Sequence, residues 1–201
     1  MIRCALSILA VIASVARSSF AQTPPPEPDA YSVTTRIQIT GPVIRKTYRL
    51  GPKVLVDQHA ADAAGNDPSR VLYNLQTKES LTWNPADTSA LCLRANFGPR
   101  EWQDPFEGGA DLAMKDVKQT GTETIHGVAT VILESDRKPG FRLWVDPKTG
   151  LMWKSQFTAK ALGKTIVYFE VTDMSLTPPP ALIFDIPSSC NAAKLAAPTT
   201  K

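Results

Sequence analysis

The sequence predicts a single domain of mainly β structure, built on an antiparallel sheet. Short runs of alternating apolar and polar residues recur along the chain, and turn residues such as Gly41-Pro42 and Gly51-Pro52 separate them. Within the predicted domain, residues 96–119 alone break this rhythm. The length suits one domain with a sizeable core, and no internal repeat is visible.

The strand-like runs follow one another at the spacing of a meander, in which sequential strands pair through short turns. A tight turn at Lys78-Glu79 joins two of the runs. About ten strands are expected in all. The runs that we assign to strands are residues 31–40, 43–50, 53–58, 70–77, 80–84, 90–95, 123–136, 140–146, 151–160, 164–174 and 182–187.

The start of the chain has the features of a secretory signal peptide. Arg3 precedes an apolar run over residues 4–16, and the small residues Ser19 and Ala21 mark a cleavage site. A membrane anchor is the competing interpretation, but the run is shorter than the ~20 apolar residues that cross a bilayer. We therefore expect a periplasmic or secreted protein that is cleaved after Ala21 and has no transmembrane anchor.

The remaining boundaries follow from composition. Residues 22–30 carry four prolines without apolar periodicity, so we expect an extended, disordered linker. The domain is expected over residues 31–190, and the tail 191–201 is expected to fray. Removal of residues 1–21, which contain two arginines and no acidic residue, lowers the formal net charge from +3 to +1. So small a charge argues against a nucleic-acid partner, which requires basic residues gathered on one face.

Two cysteines, Cys92 and Cys190, remain after removal of the signal segment. In an oxidising compartment an even pair favours a disulfide, and closing so long a loop would stabilise the fold by up to roughly 4 kcal/mol in the chain-entropy model. Two separate buried thiols are the alternative interpretation of the same pair.

Residues 96–119 are predicted to form a broken helical insert. Pro105 and the Gly108-Gly109 pair rule out one long helix, but residues 99–102 and 109–115 each favour a helical turn or two. The insert is either a helical crossover that fills the core or a movable lid. Four of its large side chains are expected to cap the sheet: Trp102, Phe106, Leu112 and Met114.

A hairpin that carries two tryptophans is predicted over residues 143–157. Residues 146–150 have the composition of a four-residue turn in which Gly150 adopts the left-handed conformation. The tryptophans either hold the sheet together or contact a ligand. With Asp146 paired to Leu151, the predicted cross-strand pairs are Trp144 with Trp153, Val145 with Met152 and Leu143 with Lys154.

Residue types suited to catalysis and metal binding are sparse. His59 and His126 are the only histidines, and neither has a second histidine at metal-ligand spacing, so no zinc site is expected. The loop 57–67 lacks the spacing and central glycine of a calcium site. Nucleophile-elbow, phosphate-loop and dinucleotide motifs are missing, and the acids Glu101 and Asp104 are commonplace near a proline. We expect neither an enzyme nor a cofactor.

Four short motifs follow one another from Gly121 onward. They are the stretch 121–131, Leu143-Trp144-Val145-Asp146, Thr149-Gly150-Leu151 with Lys154, and Phe184-Asp185-Ile186-Pro187. In these motifs the sequence resembles the LolA/LolB-like superfamily of exported lipoprotein and lipid carriers. The likeness covers about the last third of the chain, and residues 31–95 are similar only in strand order. Similar folds occur in mycobacterial lipid-carrying lipoproteins and in periplasmic stress-sensing regulators.

The resemblance implies a half-open, strongly curved antiparallel β-barrel, with short helices plugging its concave face over an apolar cavity. The implied partner is a hydrophobic ligand, namely a lipid, an acyl chain or a lipoprotein, bound without a covalent step. Two alternatives stay open: an envelope sensor or protein-interaction module of the same fold, and a hydrolase that uses His59 or His126. The candidate ligand-binding residues are Trp83, Trp102, Phe106, Leu112, Met114, Trp144 and Trp153.

Overall fold

Eleven β-strands form one curved, unclosed antiparallel sheet in the computed structural model. The structure describes residues 26–38, 41–61, 68–87, 92–98, 104–106, 117–159 and 163–192. The strands are β1 (Ala30–Gln38), β2 (Pro42–Leu50), β3 (Lys53–Ala60), β4 (Ser69–Asn74), β5 (Glu79–Trp83), β6 (Leu93–Asn96), β7 (Val117–Ile125), β8 (Val128–Ser135), β9 (Phe141–Val145), β10 (Met152–Ala159) and β11 (Lys164–Ser175). Two 3₁₀ helices follow, at Ala181–Phe184 and Ser188–Ala192.

The strand order is β6-β5-β4-β3-β2-β1-β11-β10-β9-β8-β7. Strands that are consecutive in sequence are neighbours in space, and the pairing of β1 with β11 joins the two halves. β6 and β7 are the edges, so the sheet is open, in agreement with the antiparallel, unclosed part of the expectation. The described residues contain no α-helix, and the expected plug helices fall on residues that lie outside them, 99–103 and 107–116.

Irregular pairing bends one half of the sheet. Among the described strands, register shifts occur between β1 and β11, β10 and β11, β9 and β10, and β7 and β8. An extra residue in one strand bends it and increases its twist. The pairs from β2 to β6 keep a continuous register. The bulges therefore contribute curvature mainly to the half that runs from β11 to β7.

The sheet is covered on both faces at β3. Val54 and Leu55 are adjacent in sequence, so their side chains point to opposite faces, and both are buried. Val54 shares its face with Tyr31 through their common partner on β2, and Leu55 shares the other face with Leu81 through its partner on β4. We call the side of Tyr31 and Val54 the insert face, and the side of Leu55 and Leu81 the C-terminal face.

The C-terminal 3₁₀ helices and a disulfide cover the C-terminal face. Phe184 and Cys190 are buried against Leu55 and Trp83. Cys190 is bonded to Cys92, which precedes β6, with a distance of 5.1 Å between their Cα atoms. The segment from Phe184 to Cys190 is thus held to the sheet both by apolar packing and by a covalent bond.

The predicted strand at residues 182–187 is wrong. The segment forms the 3₁₀ helix Ala181–Phe184, in which the N–H of Ile183 donates to the carbonyl of Pro180 at 3.2 Å. The prolines that precede it have no N–H groups to donate to a neighbouring strand. The buried ring of Phe184 therefore attaches the segment to the sheet by packing instead of by strand pairing.

The predicted run at residues 123–136 contains two strands. β7 and β8 are joined by a turn at His126 and Gly127, whose φ values are 48° and 81°. Two successive residues with positive φ form the turn that matches the twist of a tight hairpin. Because β7 begins at Val117, the insert ends earlier than the predicted span of 96–119.

The disulfide is expected to contribute strongly to stability, because the two cysteines are 98 positions apart. A loop of about this length corresponds to about 4–5 kcal/mol in the chain-entropy model. The double variant Cys92→Ser, Cys190→Ser of residues 22–201 should therefore unfold at lower urea concentration, and reductant should move the wild-type midpoint to the variant's value. Alkylation and mass spectrometry without reductant check the bond, and two alkylated cysteines would contradict it.

Candidate functional site

Four aromatic side chains meet in one buried cluster on the insert face. Tyr31 comes from β1, Phe106 from the insert, and Trp144 and Trp153 from the β9–β10 hairpin; each is at most 5% exposed. The rings of Tyr31 and Phe106 are tilted, with centroids 4.7 Å apart, a range at which aromatic pairs attract. The structure thus brings together three of the candidate ligand-binding residues. We call these four residues the aromatic cluster.

The turn between β9 and β10 sets the positions of the two tryptophans. The N–H of Asp146 donates to the carbonyl of Leu151 at 2.9 Å, and Gly150 has a φ of 76°, as the sequence predicts. The Asp146 carboxylate accepts hydrogen bonds from the N–H of Lys148 at 2.9 Å and from the hydroxyl of Thr149 at 2.7 Å. One buried carboxylate therefore satisfies the donors of the turn and fixes where each strand begins.

The predicted pairing of the two tryptophans with each other is wrong. Trp153 is an extra residue in β10, because the register shifts between Met152 and Lys154. A bulge places two residues of one strand opposite one residue of the next. Both indoles nevertheless enter the aromatic cluster. The observed pairs are Val145 with Met152, as predicted, Trp144 with Lys154, and Leu143 with Ser155.

The two indole N–H groups differ in their hydrogen bonding. Nε1 of Trp144 donates to Oε2 of Glu123 at 2.6 Å. Nε1 of Trp153 is buried and has no acceptor among the residues that the structure describes. Burial of such a donor costs about 1–3 kcal/mol, because it forfeits the hydrogen bond that water supplies in the unfolded chain. The Trp153 indole can therefore donate to an acceptor that comes from outside the protein.

Two polar side chains border the indoles. The ring centroids of His126 and Trp153 are 5.8 Å apart. Nζ of Lys154 lies 4.6 Å from the ring centroid of Trp144, where the π electrons attract a cation. His126 is exposed at the tip of the β7–β8 hairpin. The aromatic cluster thus has a polar border at this end of the sheet.

Asp104 holds Phe106 in the aromatic cluster. Its Oδ1 accepts hydrogen bonds from the N–H of Phe106 at 2.8 Å and from the hydroxyl of Tyr31 at 3.4 Å. Its Oδ2 lies 4.0 Å from Nη1 of Arg49 on β2, and Arg49 also forms an ion pair with Glu27. One buried carboxylate therefore links the insert, β1, β2 and the proline-rich segment before β1.

Burial alters the proton affinity of these groups. Loss of hydration raises the pKa of Asp104, and the Phe106 N–H and the Arg49 guanidinium only partly oppose that rise. Burial also raises the pKa of Tyr31 far above its ordinary value, so its hydroxyl stays protonated and remains a donor. The pKa of Arg49 is lowered by burial, yet an arginine remains a cation at physiological pH.

One further candidate ligand-binding residue, Trp83, is described by the structure and lies outside the aromatic cluster. Trp83 is buried on the C-terminal face, against Leu55 and Phe184. Its position makes it part of the packing beneath the 3₁₀ helices, on the opposite side of the sheet from Trp144 and Trp153. The remaining three candidates, Trp102, Leu112 and Met114, lie outside the described residues.

Sequence reasoning missed Tyr31 and Arg49, and it treated Asp104 only as a member of a commonplace acidic pair. Tyr31 and Asp104 are 73 positions apart, and they meet because the insert crosses β1. A local signal did exist at Asp104, since an aspartate two residues before an aromatic residue often accepts the hydrogen bond of a backbone N–H in a turn. Nothing local indicated which strand that turn would reach.

Histidines and acids are dispersed over the sheet. His59 lies on β3 and His126 in the β7–β8 turn, in opposite halves of the strand order. Within the described ranges, no group of three or more histidine, cysteine, aspartate or glutamate side chains is arranged to hold a metal ion. The described part of the chain also has no helix of the length and hydropathy that a membrane span requires.

Comparison with known proteins identifies relatives of the fold. No protein family and no curated protein matches the sequence. A solved structure from Thermus thermophilus, described as an uncharacterized conserved protein, is 13% identical, with a TM-score of 0.51 over 83% of this chain and 89% of that one. MucB is 18% identical, with a TM-score of 0.51 over 81% of this chain.

The complex of MucA and MucB from Pseudomonas aeruginosa gives a TM-score of 0.50 at 14% identity, over 83% of this chain. The present chain spans about 58% of the length of MucB. These likenesses concern the fold. They agree with the unclosed antiparallel sheet that the resemblance to LolA/LolB-like proteins implies.

Replacement by phenylalanine should separate the roles of the two indoles. Trp144→Phe removes the donor to Glu123, whereas Trp153→Phe removes a donor without an acceptor among the described residues. Both changes remove the same atoms, so Trp144→Phe should lower the free energy of unfolding by about 1 kcal/mol more. Urea unfolding of the two variants in parallel measures the difference, and equal losses would contradict the assigned hydrogen bonds.

The raised pKa of Asp104 predicts a pH-dependent effect of Asp104→Asn, which keeps an acceptor for Phe106 but cannot ionise. The stability contributed by Asp104 is full below its unfolded pKa of 3.8 and is lost as pH rises through the higher folded pKa. The melting temperature of Asp104→Asn should therefore rise relative to wild type as the pH increases above the unfolded pKa of 3.8.

Thermal unfolding at a series of pH values measures this trend. Asp173→Asn makes the same chemical change at an exposed position on β11 and serves as the matched control. A constant difference between Asp104→Asn and wild type across the series would show that burial does not shift the carboxyl group as assigned.

Proposed function

We propose that the protein is an exported, non-catalytic binding protein that holds a hydrophobic ligand on the insert face of its sheet. The ligand is a lipid, an acyl chain or the acylated end of a lipoprotein. Phe106, Trp144 and Trp153 supply the contact surface, and Nε1 of Trp153 donates to an oxygen atom of the ligand. Apolar contact of this kind contributes about 25 cal/mol for each Å² removed from water.

The buried N–H of Trp153 carries the proposal. In the aromatic cluster, the polar atoms of Trp144 and Tyr31 have acceptors in Glu123 and Asp104, but that of Trp153 has none among the described residues. Buried polar atoms are nearly always hydrogen-bonded, and an exception calls for a specific explanation. An ester or carboxylate oxygen at the head of an acyl chain supplies the missing acceptor in an otherwise apolar setting.

Ligand entry requires that Phe106 leave the aromatic cluster. The described part of the insert is held to the sheet by non-covalent contacts. The Met152 N–H donates to the Pro105 carbonyl at 2.9 Å, Asp104 contacts Tyr31 and Arg49, and the ring of Phe106 packs on that of Tyr31. No covalent cross-link secures residues 104–106, the described part of this segment, in contrast to the disulfide on the C-terminal face. The insert therefore acts as the lid of the site.

Export is supported by two features of different kinds. Residues 1–21 have the composition of a signal peptide, and cleavage after Ala21 would release the mature chain. The disulfide between Cys92 and Cys190 is of the kind that persists in an oxidising compartment such as the periplasm. The ligand is accordingly one that occurs in the cell envelope or outside the cell.

A protein-interaction module is the second candidate, and the packing of the aromatic cluster favours it. Its side chains are at most 5% exposed, so the described part of the insert face is closely packed around them in this conformation. MucB, which has a similar fold, has been solved in complex with MucA(peri). In this alternative the sheet contacts an envelope protein, and its interior stays filled.

A fluorescent fatty acid distinguishes the two candidates. Residues 22–201, purified as the mature chain, should bind dansyl-undecanoic acid with an increase in emission. Trp153→Phe should weaken binding by about tenfold or more, because one hydrogen bond to a charged acceptor is lost. Trp83→Phe, which changes the C-terminal face, is the matched control and should bind as wild type does. Fluorescence titration measures all three affinities.

Three outcomes have separate meanings. No emission change, together with no co-purified lipid by mass spectrometry, contradicts ligand binding and leaves the interaction module as the better explanation. Binding that Trp153→Phe does not weaken retains the ligand but rejects the role of the indole donor. Equal weakening by Trp83→Phe would show that the affinity reflects overall stability instead of contact.

A further inference from the structure

A row of apolar side chains crosses β9, β10 and β11 near one end of the sheet. Phe141 pairs with Phe157, and Phe157 pairs with Ile166, so the three side chains lie next to one another on one face. Tyr168 follows Ile166 two positions along β11, at a bulge where it has no partner in β10, and it is exposed as Ile166 is. We call Phe141, Phe157, Ile166 and Tyr168 the strand-end patch.

The strand-end patch is open to solvent. Ile166 and Tyr168 are 38% and 37% exposed, and Phe141 and Phe157 are half-buried. Isolated apolar residues are ordinary on protein surfaces, but contiguous ones mark a site of contact. None of the four residues belongs to the aromatic cluster or to the core of the C-terminal face. The patch therefore lies outside both the candidate site and the fold's interior packing.

Two lysines border the strand-end patch. Nζ of Lys138 lies 5.8 Å from the ring centroid of Phe141. Lys164 is exposed two positions before Ile166 on β11. Neither lysine forms an ion pair with any residue that the structure describes. The apolar row is thus flanked by positive charge on two sides.

The carboxylates of the neighbouring strand do not neutralise that charge. Glu134, near the end of β8, is bound by Arg142 at 2.6 Å, and Asp136 in the following turn is bound by Lys118 at 2.5 Å. Each of these acids already has a basic partner. Because the whole chain after residue 21 has a formal net charge of only +1, the positive border is a local feature.

We infer that the strand-end patch docks on the surface of a membrane that contains anionic lipids. Aromatic and branched apolar side chains settle at the boundary between headgroups and acyl chains. Lysines beside them are attracted by the negative surface potential of such a membrane, and their flexible stems let the ammonium groups reach the phosphates. The arrangement of Phe141, Phe157, Ile166 and Tyr168 between Lys138 and Lys164 has both components.

A second copy of this chain is a poorer occupant of the patch. A two-fold interface brings the same surface of each copy together. Lys138 and Lys164 of one copy would then face the same lysines of the other, and like charges across an interface are unfavourable. A lipid surface offers apolar contact and opposite charge at the same time.

Docking does not depend on which ligand the insert face holds. A protein on a lipid surface is, however, where a hydrophobic ligand resides or must be delivered. The patch would bring the sheet to the membrane while the aromatic cluster remains a separate site on the molecule.

Vesicle co-sedimentation of residues 22–201 tests the inference. Vesicles of phosphatidylcholine mixed with phosphatidylglycerol should bind the protein, and vesicles of phosphatidylcholine alone should bind it much less. Two double variants change the patch: one combines Ile166→Ser with Tyr168→Ser, and the other combines Lys138→Glu with Lys164→Glu. Each should weaken binding by about tenfold or more, since apolar and charged contacts both contribute. The matched controls are Leu182→Ser, which removes an exposed leucine elsewhere, and Lys53→Glu, at the opposite end of the sheet.

All four variants change exposed side chains, and an unchanged melting temperature establishes that each is folded. Binding that survives both patch variants, or no binding to anionic vesicles, overturns the inference. Equal loss in the control variants also overturns it, because general charge or hydrophobicity would then suffice. A dimer that the patch variants dissociate, seen by analytical ultracentrifugation without lipid, assigns the patch to a second copy instead.

Discussion

The fold depends on covering both faces of an open sheet. Adjacent residues of β3, Val54 and Leu55, are both fully buried, which a sheet with one solvated face would not require. A sheet with free edges cannot bury both faces by itself, so each face needs a covering segment of the same chain. Phe106 of the insert packs on one, and the C-terminal 3₁₀ helices cover the other.

The described parts of the two coverings are attached by different physical means. The C-terminal face is sealed by Phe184 and by the disulfide of Cys190, so its packing is permanent under oxidising conditions. The insert face is held through Asp104, a carboxylate whose burial raises its pKa and works against its own placement. A segment held by a few hydrogen bonds opens at lower free energy than one held covalently. Under the proposed function, the insert face is therefore the one that would admit a ligand.

The sequence located most strands and the hairpin turn because their signals are local. Alternation of apolar and polar residues indicates a strand with one buried face, and Asp146 with Gly150 indicates a turn. Neither signal depends on the rest of the chain. The bulge at Trp153 has no local signal in the sequence, since one extra residue leaves the composition of a strand unchanged. The contact of Tyr31 with Asp104 could not be predicted from the sequence either, because it depends on which strand the insert crosses. The apolar segment at 182–187 has the composition of a strand, but the prolines before it cannot donate to a neighbouring strand, and Phe184 attaches it to the sheet by packing.

If a ligand displaces Phe106, as the proposed function requires, the free energy lost with Phe106 restricts what that ligand can be. Burial of a phenylalanine side chain is worth about 1.5–3 kcal/mol, and each buried methylene about 0.8 kcal/mol, so roughly two to four methylenes offset the loss of Phe106. Association itself costs several kcal/mol more, which only a longer chain overcomes. The Trp153 N–H is already dehydrated in the free protein, so an acceptor forms that hydrogen bond without a further desolvation cost to the donor. A long acyl chain with an oxygen at its head satisfies both conditions, whereas a short chain or a plain hydrocarbon satisfies at most one.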